Sequence, residues 1–462
     1  LCFSIEIEKL ISLKIFLFNM PYKIIIGRDD SDRVKFGEDG IILLGKHYVR
    51  MGQTTSLSNE VYLDVIRPHV ILVTGKRGQG KSYSLAVMAE EMTKLDKEIS
   101  KKLSVLMIDT MGIFWTMKFP NTKEEDLLEK WNLKPSNFDV DIYTPTGFFK
   151  KYKSVEIPVD YPFSIKVSEL DSADWGNVFD ISINSELGVF IDRIIEDLKD
   201  SGKDYSMDHI LNKIKKDNKV DKLTRDQAEN RFQVAKSWGL FTEQGTEIID
   251  LVKPSKVSII DVSCYTNVSG NWGIKNLVIG IIAKKLLNER VLSRKLEEIE
   301  SIKTGESYFS EFESKEEKPL IWIMIDEAQE FIPREGKTAA SDALSQLLRE
   351  GRQPGISLVL ATQQPGEIHK DVITQSDIVI SHRVTAKRDI NALNNMMQSY
   401  LFEDILKYLN QLPKLKGSAI VLDDNSERLY PIRVRPRISW HGGESPSALK
   451  GKRKELIGLG IE

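Results

Sequence analysis

Cysteine and histidine are scarce in this chain of 462 residues, which has two cysteines and six histidines. The cysteines, Cys2 and Cys264, are distant in sequence, so they form neither a disulfide framework nor a zinc site. The histidines are scattered and lack the spacing of metal ligands. These absences exclude a disulfide-stabilised secreted domain and favour a reducing, cytoplasmic setting.

A strong net charge is also absent, because the formal net charge is −3 at pH 7. This near balance excludes a uniformly basic nucleic-acid binder. It leaves open a ring protein whose Lys and Arg side chains line one surface while the outside stays acidic.

A long apolar run is the third feature that the chain lacks. The apolar residues 10–19 are too few to cross a bilayer, which takes about 20 residues. Glu6 and Glu8 stand where a signal peptide carries positive charge. We therefore expect no stable membrane insertion, and we interpret residues 1–19 as an upstream or disordered segment.

The chain does have the composition of a globular protein, with 41% hydrophobic and 29% charged residues. Short β-rich runs and glycine turns come first, and apolar strands that alternate with helices follow. A charged, mostly helical stretch interrupts these strands. The predicted parts are a β-rich module at 20–66, a core of alternating strands and helices at 67–169 and 251–435, a helical insertion at 170–250 and a tail at 436–462.

A glycine-rich loop is the first motif that carries chemistry. Residues Gly75–Ser82 match G-x-x-x-x-G-K-[ST] in full, between the apolar strand at 70–74 and a predicted helix from Ser82 to Leu95. The glycines let backbone amides face phosphate oxygens, and the positive end of the helix dipole adds to their attraction. Lys81 is expected to reach the β- and γ-phosphates of ATP, and Ser82 to hold Mg²⁺. The alternative is a glycine turn that binds no nucleotide.

A second apolar strand at 103–109 follows this helix and ends in Asp109. The strand, helix and strand form a βαβ unit, which predicts an α/β fold with a mostly parallel sheet. Ligands of such sheets bind at the carboxyl ends of the strands, so Asp109 is a candidate nucleotide contact. A turn or helix-capping role explains Asp109 equally well. The expected ATP-binding residues are Gly75, Gly78, Gln79, Gly80, Lys81, Ser82, Tyr83 and Asp109.

Two carboxylates follow the apolar strand at 320–325. Asp326 is expected to hold Mg²⁺ together with Ser82, and Glu327 to polarise the water that attacks ATP. A second acid beside the metal fits hydrolysis better than phosphoryl transfer to an organic acceptor. The alternative is a helix start that favours acidic residues.

Two further polar positions lie downstream of these acids. Gln363 follows the strand at 356–361 and is a candidate for sensing the γ-phosphate or orienting water. Arg352 lies between the acids and that strand, where an arginine can be supplied to the γ-phosphate of a neighbouring subunit. From the residues alone, a strand-end turn explains Gln363 as well, and an ion pair with Glu350 is the simpler reading of Arg352.

In this order, the motifs resemble those of the HerA/FtsK superfamily of ring ATPases, and within it the archaeal HerA-type DNA translocases. The most specific part runs from Arg349 through Arg352 to Pro365, and the likeness covers roughly residues 35–435. The resemblance implies a RecA-like P-loop NTPase fold and a homohexamer that moves or unwinds double-stranded DNA. It also implies that Arg352 is the trans-acting arginine and Gln363 the sensor.

The same resemblance implies a possible partnership with a NurA-type nuclease in DNA-end resection. Two other readings stay open. One is a conjugation-type, secretion-type or virus-packaging ATPase of the same superfamily. The other is an ATP-dependent DNA clamp that does not translocate, although a second acid at Glu327 favours turnover.

Overall fold

The computed structural model describes residues 22–51, 54–202, 204–267, 273–304, 318–397 and 405–443. The predicted segment at 1–19 and most of the predicted tail lie outside these ranges. Within them, no helix combines the length and the apolar character that crossing a bilayer requires.

One large sheet organises the described part of the chain. Thirteen strands join it in the order β1-β3-β2-β15-β14-β13-β4-β12-β11-β5-β10-β6-β7, and β8 and β9 form a separate parallel pair. The strands are β1 Ile24–Ile26, β2 Ile41–Met51, β3 Thr54–Asp64, β4 Val70–Thr74, β5 Leu103–Asp109, β6 Val140–Pro145, β7 Tyr161–Phe163, β8 Ile165–Lys166, β9 Phe241–Thr242, β10 Val257–Asp261, β11 Leu320–Ile325, β12 Ile356–Thr362, β13 Ile378–His382, β14 Ser418–Asp423 and β15 Arg428–Val434.

The eight strands from β13 to β7 all run parallel to one another. The central ones are buried along their whole length, as strands covered on both faces are expected to be. This confirms the predicted α/β class with a mostly parallel central sheet.

The N-terminal strands extend the same sheet. From β13 onward the pairs β13-β14, β14-β15, β15-β2 and β2-β3 are antiparallel, and β1 runs parallel to β3. Ile432 of β15 lies opposite His47 of β2, so strands from the two ends of the described chain are hydrogen-bonded neighbours.

Helices cover both faces of the sheet. They are α1 Asp30–Phe36, α2 Lys81–Met92, α3 Lys97–Ser100, α4 Glu125–Glu129, α5 Thr146–Ser154, α6 Ser172–Phe179, α7 Glu186–Lys199, α8 Met207–Lys216, α9 Lys222–Ser237, α10 Ile248–Leu251, α11 Ile274–Thr304, α12 Ser341–Glu350, α13 Lys370–Gln375, α14 Lys387–Met397 and α15 Ile405–Gln411.

Alternate residues of the strands belong to two separate hydrophobic cores. Ile71 and Val73 of β4 pack in the core that contains α2, whereas Val70 and Leu72 pack in the core that contains α11 and the helices at 172–251. This alternation follows from the strand period of two residues. Because the strands are parallel, their carboxyl ends lie along one edge, where the loop after β4 meets the ends of β11, β12 and β13.

Candidate nucleotide-binding site

The loop after β4 has the backbone that its glycines permit. Gly78 and Gly80 have φ angles of 75° and 120°, which side chains with a Cβ rarely adopt. A Cβ on Gly75 would stand 2.6 Å from the Cβ of His382, which leaves no space for any other residue. The amide of Lys76 donates to the carbonyl of Arg383 at 3.1 Å and fixes the loop to β13.

His382, at the end of β13, packs against Gly75 and Gly80 of this loop. Its Nε2 lies 2.9 Å from Ser84 Oγ, and its Nδ1 lies 3.1 Å from the Ser418 carbonyl. Burial lowers the pKa of His382 to about 4, so the ring is neutral near pH 7. A neutral ring with Nδ1–H donating to the carbonyl leaves Nε2 to accept from the Ser84 hydroxyl. Sequence reasoning missed His382, and its place after an apolar strand is the only signal that pointed to it.

Lys81 begins helix α2 and is buried. Its Nζ lies 3.4 Å from the Lys76 carbonyl of the same loop. Burial lowers the pKa of Lys81, while the negative charges of Glu327 and Asp326 raise it in part. The ammonium is therefore close to both acids that the sequence singled out.

Ser82 connects the loop to β11, because its hydroxyl donates to Asp326 Oδ2 at 2.5 Å. Burial raises the pKa of Asp326, and the hydrogen bond from Ser82 opposes that rise. A hydroxyl and a carboxylate this close are the two protein ligands that the P-loop pattern assigns to Mg²⁺.

Glu327 has a left-handed backbone, with φ 53° and ψ 45°. This conformation costs a non-glycine residue about 1–3 kcal/mol, and such residues concentrate at active sites. The Glu327 carboxylate accepts hydrogen bonds from the amide groups of Gln363 and Gln329. Gln329 is in turn fixed by the Thr362 hydroxyl at 2.7 Å. Two residues that sequence reasoning did not select, Gln329 and Thr362, thus orient the predicted catalytic acid.

Tyr83 and Gln79, also predicted ATP contacts, are hydrogen-bonded to other segments of the chain. The Tyr83 hydroxyl accepts from the Arg437 amide at 2.6 Å and donates to Glu124 at 3.3 Å. The carbonyl of Gln79 accepts from the amide of Gly417 at 3.4 Å. The chain near 417 and 437 therefore covers the flanks of the loop.

Asp109 is engaged by its own turn. Its carboxylate accepts the backbone N–H groups of Met111, Gly112, Ile113 and Phe114 at 2.7–3.2 Å. Burial, with the nearby charge of Asp261, raises its pKa to about 7 despite these bonds. This arrangement is the turn-forming role that the sequence left open, and a nucleotide contact by Asp109 stays a prediction.

Arg352 lies at the opposite edge of the sheet from the loop. It precedes β12, whose Leu358 is paired with Val70 and whose Thr362 is paired with Thr74, so about 13 Å of strand separates the two edges. Its guanidinium is half-exposed and pairs with Asp377 at 3.3 Å. The simpler sequence reading, a pair with Glu350, is wrong, because Glu350 accepts from Gln346 instead.

The residues at the loop fit a nucleoside triphosphate with a metal ion. Among the described residues, no side chain caps the amino end of α2, so its first N–H groups face the loop without a side-chain partner. Lys81 supplies a buried positive charge beside them, and Ser82 with Asp326 supplies two oxygen ligands. This combination matches the needs of phosphate and Mg²⁺ together.

Comparisons with known proteins identify the family of this chain. The family described as the central domain of the helicase HerA matches residues 49–289, more than half of the chain. A probable DNA double-strand break repair helicase HerA from Methanocaldococcus jannaschii is 30% identical over 177 residues, which cover 36% of this chain and 33% of that protein. The DNA double-strand break repair helicase HerA of Sulfurisphaera tokodaii is 21% identical, over 91% of this chain and 76% of that protein.

The alignments to the first relatives are partial. They span 33% of the M. jannaschii protein and 41% of the HerA helicase of Pyrococcus furiosus. Among solved structures, VirB4 of Thermoanaerobacter pseudethanolicus is similar with a TM-score of 0.52 and 12% identity, over 87% of this chain and 97% of that one. At this identity the likeness shows the fold alone.

Proposed function

This P-loop ATPase belongs to the family of the HerA helicase central domain, and we propose that it is a motor that hydrolyses ATP to move or unwind double-stranded DNA. The observation that carries the proposal is the contact between Ser82 and Asp326 at 2.5 Å, beside the buried Lys81 and next to Glu327. These residues come from a helix and a strand 244 positions apart in sequence.

Different groups of the chain bind the phosphates and the metal ion. The amides at the start of α2 and the Lys81 ammonium hold phosphate oxygens, because both supply positive charge in a buried place. Ser82 and Asp326 would hold Mg²⁺, which would supply positive charge to the phosphates of the nucleotide.

Glu327 is the residue that we assign to water activation. Its left-handed backbone and its two amide partners fix the carboxylate, so little reorganisation is needed when it accepts a proton. Gln363, bonded to Glu327 and located at the end of β12, links this acid to the strand beside the P-loop. A γ-phosphate sensor at Gln363 is thus mechanically connected to the catalytic acid.

Arg352 cannot reach its own P-loop across the sheet. A catalytic role for it therefore requires a second copy of the chain, which supports the proposed homohexamer with active sites between subunits. A NurA-type nuclease is the partner that this proposal predicts for DNA-end resection.

The test is the steady-state ATPase rate with blunt duplex, tailed duplex and single-stranded DNA, together with the particle mass. We expect duplex DNA to stimulate turnover and the mass to correspond to six chains. ATP and DNA binding with little turnover would instead identify a clamp. A particle that stays monomeric with nucleotide and DNA would contradict the ring.

A further inference from the structure

A series of four buried charged side chains begins at the carboxyl ends of β1 and β3 and ends at residues that precede β4 and β13. Arg28 Nε donates to Asp64 Oδ1 at 2.9 Å, and Asp64 Oδ2 lies 3.3 Å from His69 Nε2. His69 Nδ1 lies 2.7 Å from Asp377 Oδ2. All four side chains are buried.

The two ends of this charge chain reach different parts of the molecule. At one end Arg28 also donates to the carbonyls of Gly37 at 2.8 Å and Asp39 at 2.7 Å, in the turn after α1. At the other end Asp377 accepts from Arg352 at 3.3 Å. The N-terminal segment and the loop that carries Arg352 are thereby joined through buried contacts.

Asp377 is fixed independently of Arg352. Its Oδ1 accepts from the Val70 amide at 2.9 Å, and its other oxygen is shared by His69 and Arg352. Burial would raise the pKa of Asp377, but the hydrogen bond and charge of His69 lower it below the usual value. The carboxylate is therefore ionised and stationary, as an anchor for an arginine must be.

Two buried cations and two buried acids alternate along this series of residues. Arg28 and His69 balance Asp64 and Asp377, and buried charges are tolerated only when they are paired in this way. Arg352 adds a positive charge at the exposed end. Only one of its five N–H donors is used in this contact and the side chain is half-exposed, so donors remain for a neighbouring subunit.

We propose that Asp377, held in place by His69, is the positioning residue for Arg352 and sets how that arginine enters the active site of a neighbouring subunit. The proposal rests on the proposed function, because it needs Arg352 to act in trans. It adds that the N-terminal strands, through Arg28 and Asp64, share control of that geometry.

The direct test is the ATPase kinetics of Asp377→Asn, which removes the charge and keeps the size of the side chain. We expect kcat to fall about 10- to 100-fold, as misplaced catalytic groups cause, with KM for ATP nearly unchanged. The matched control is Asp371→Asn, which removes a similar buried partner from Arg349, the other arginine of this region. The control should keep the wild-type kcat.

Mixed rings distinguish positioning in trans from a local structural defect. Co-expressed Lys81→Ala and Asp377→Asn chains should give more turnover than the two variants alone, because the intact Arg352 of one chain serves the intact P-loop of the other. Turnover equal to the sum of the rates of the two variants measured separately would overturn the positioning role. The benchmark pair is Lys81→Ala with Arg352→Ala; its failure to complement would contradict the trans role in the proposed function instead.

A double substitution covers the case in which Asp377→Asn alters folding. If Asp377 acts through Arg352, adding Asp377→Asn to Arg352→Ala should lower kcat no further. An additional fall equal to that of the single variant would overturn the proposal. His69→Gln, which keeps a polar side chain beside Asp377, should reproduce the fall in kcat, and an unchanged kcat would count against the charge chain.

Discussion

At the scale of single residues, Glu327 has a strained backbone and a carboxylate that is held by hydrogen bonds. Its φ of 53° is unfavourable for a residue with a Cβ, and the amides of Gln329 and Gln363 hold its carboxylate in that position. Asp326, its neighbour, uses Oδ1 to accept the Glu327 amide at 2.9 Å and leaves Oδ2 for Ser82. Two adjacent acids therefore have separate tasks because their hydrogen bonds differ.

The substitution Glu327→Gln should separate binding from chemistry. It removes the proton acceptor and keeps the volume, so we expect kcat to fall about 10²- to 10⁴-fold while the Kd for ATP changes little. Single-turnover hydrolysis and nucleotide titration measure the two quantities. The control is Glu330→Gln, an exposed acid three positions on, which should retain most of the activity. Equal losses in both variants would remove the special role of Glu327.

His69 predicts how stability depends on pH. Burial would lower its pKa, but the hydrogen bonds and charges of Asp377 and Asp64 raise it to about 9. The folded state therefore holds a proton that the unfolded chain releases near pH 6.5, so this stabilisation is complete below that pH and is lost as the pH rises through 9. Between pH 7.5 and 9.5 we expect a loss of about 2 kcal/mol.

Urea unfolding at several pH values measures this loss. Asp109, whose pKa is about 7, still releases part of its proton at the lower end of this window, but it is present in both proteins compared. In His69→Gln the dependence over the same window should be much weaker. If the unfolding free energy of His69→Gln fell with pH as steeply as that of the wild type, other groups would be responsible for the pH dependence.

At the scale of elements, the P-loop depends on the strand beside it. His382 fills the space under Gly75 and Gly80, and its ring is tied to Ser84 of α2 and to Ser418 of β14. The loop is thus shaped by β13 and β14 as well as by its own glycines. The sequence predicted the loop from its motif but not this support, because His382 is 298 residues from Ser84.

Two glycine substitutions test this dependence. In Gly75→Ala the new Cβ meets His382 at 2.6 Å, whereas in Gly78→Ala it meets no atom within 4 Å. We expect Gly75→Ala to weaken ATP binding about tenfold or more, and Gly78→Ala to have a smaller effect that arises from its positive φ alone. Binding of a fluorescent ATP analogue measures both. The reverse order would contradict the packing described for His382.

The chain after β15 forms a second support, on the outer side of α2. Glu90 of α2 is fully buried and accepts from Arg435 at 2.8 Å and from the Ser439 amide at 3.1 Å. Arg437 lies 3.6 Å from the same carboxylate. The first residues of the predicted tail are therefore packed against the helix that carries Lys81.

Glu90→Ala should destabilise the fold strongly. It leaves Arg437 buried without its carboxylate and leaves Arg435 with Glu91 as its remaining acid, and breaking such a buried group costs about 3–5 kcal/mol. The exposed pair of Glu98 and Lys101 supplies the control, since Glu98→Ala should cost less than about 1 kcal/mol. Urea unfolding measures the loss of unfolding free energy in each variant. Similar losses in Glu90→Ala and Glu98→Ala would contradict the account.

At the scale of the whole molecule, features formed by residues close in sequence could be predicted, whereas contacts between residues far apart in sequence could not. The P-loop, the acids after β11 and the parallel core follow from motifs and apolar runs that are local in sequence. The pairing of β2 with β15, the ion chain from Arg28 to Asp377 and the clamp on Glu90 join residues hundreds of positions apart. No periodicity specifies such contacts, because each depends on which strands become neighbours.

The predicted N-terminal module is an example of a feature whose position in the fold could not be predicted. Its strands were recognisable, yet their place at the end of the ATPase sheet follows only from the antiparallel turn of β14 and β15. Through this continuity, residues 22–66 and the ATPase core share one sheet and one buried charge chain. Hydrogen bonds and ion pairs therefore connect the N-terminal strands to the loop that carries Arg352.

The central claim is that ATP hydrolysis at the P-loop powers work on DNA. The most direct measurement is the ATPase rate of the wild type and of Lys81→Ala, each with and without blunt duplex DNA. We predict a DNA-stimulated rate for the wild type and a rate near background for Lys81→Ala in both conditions. Hydrolysis by Lys81→Ala at the wild-type, DNA-stimulated rate would contradict the account.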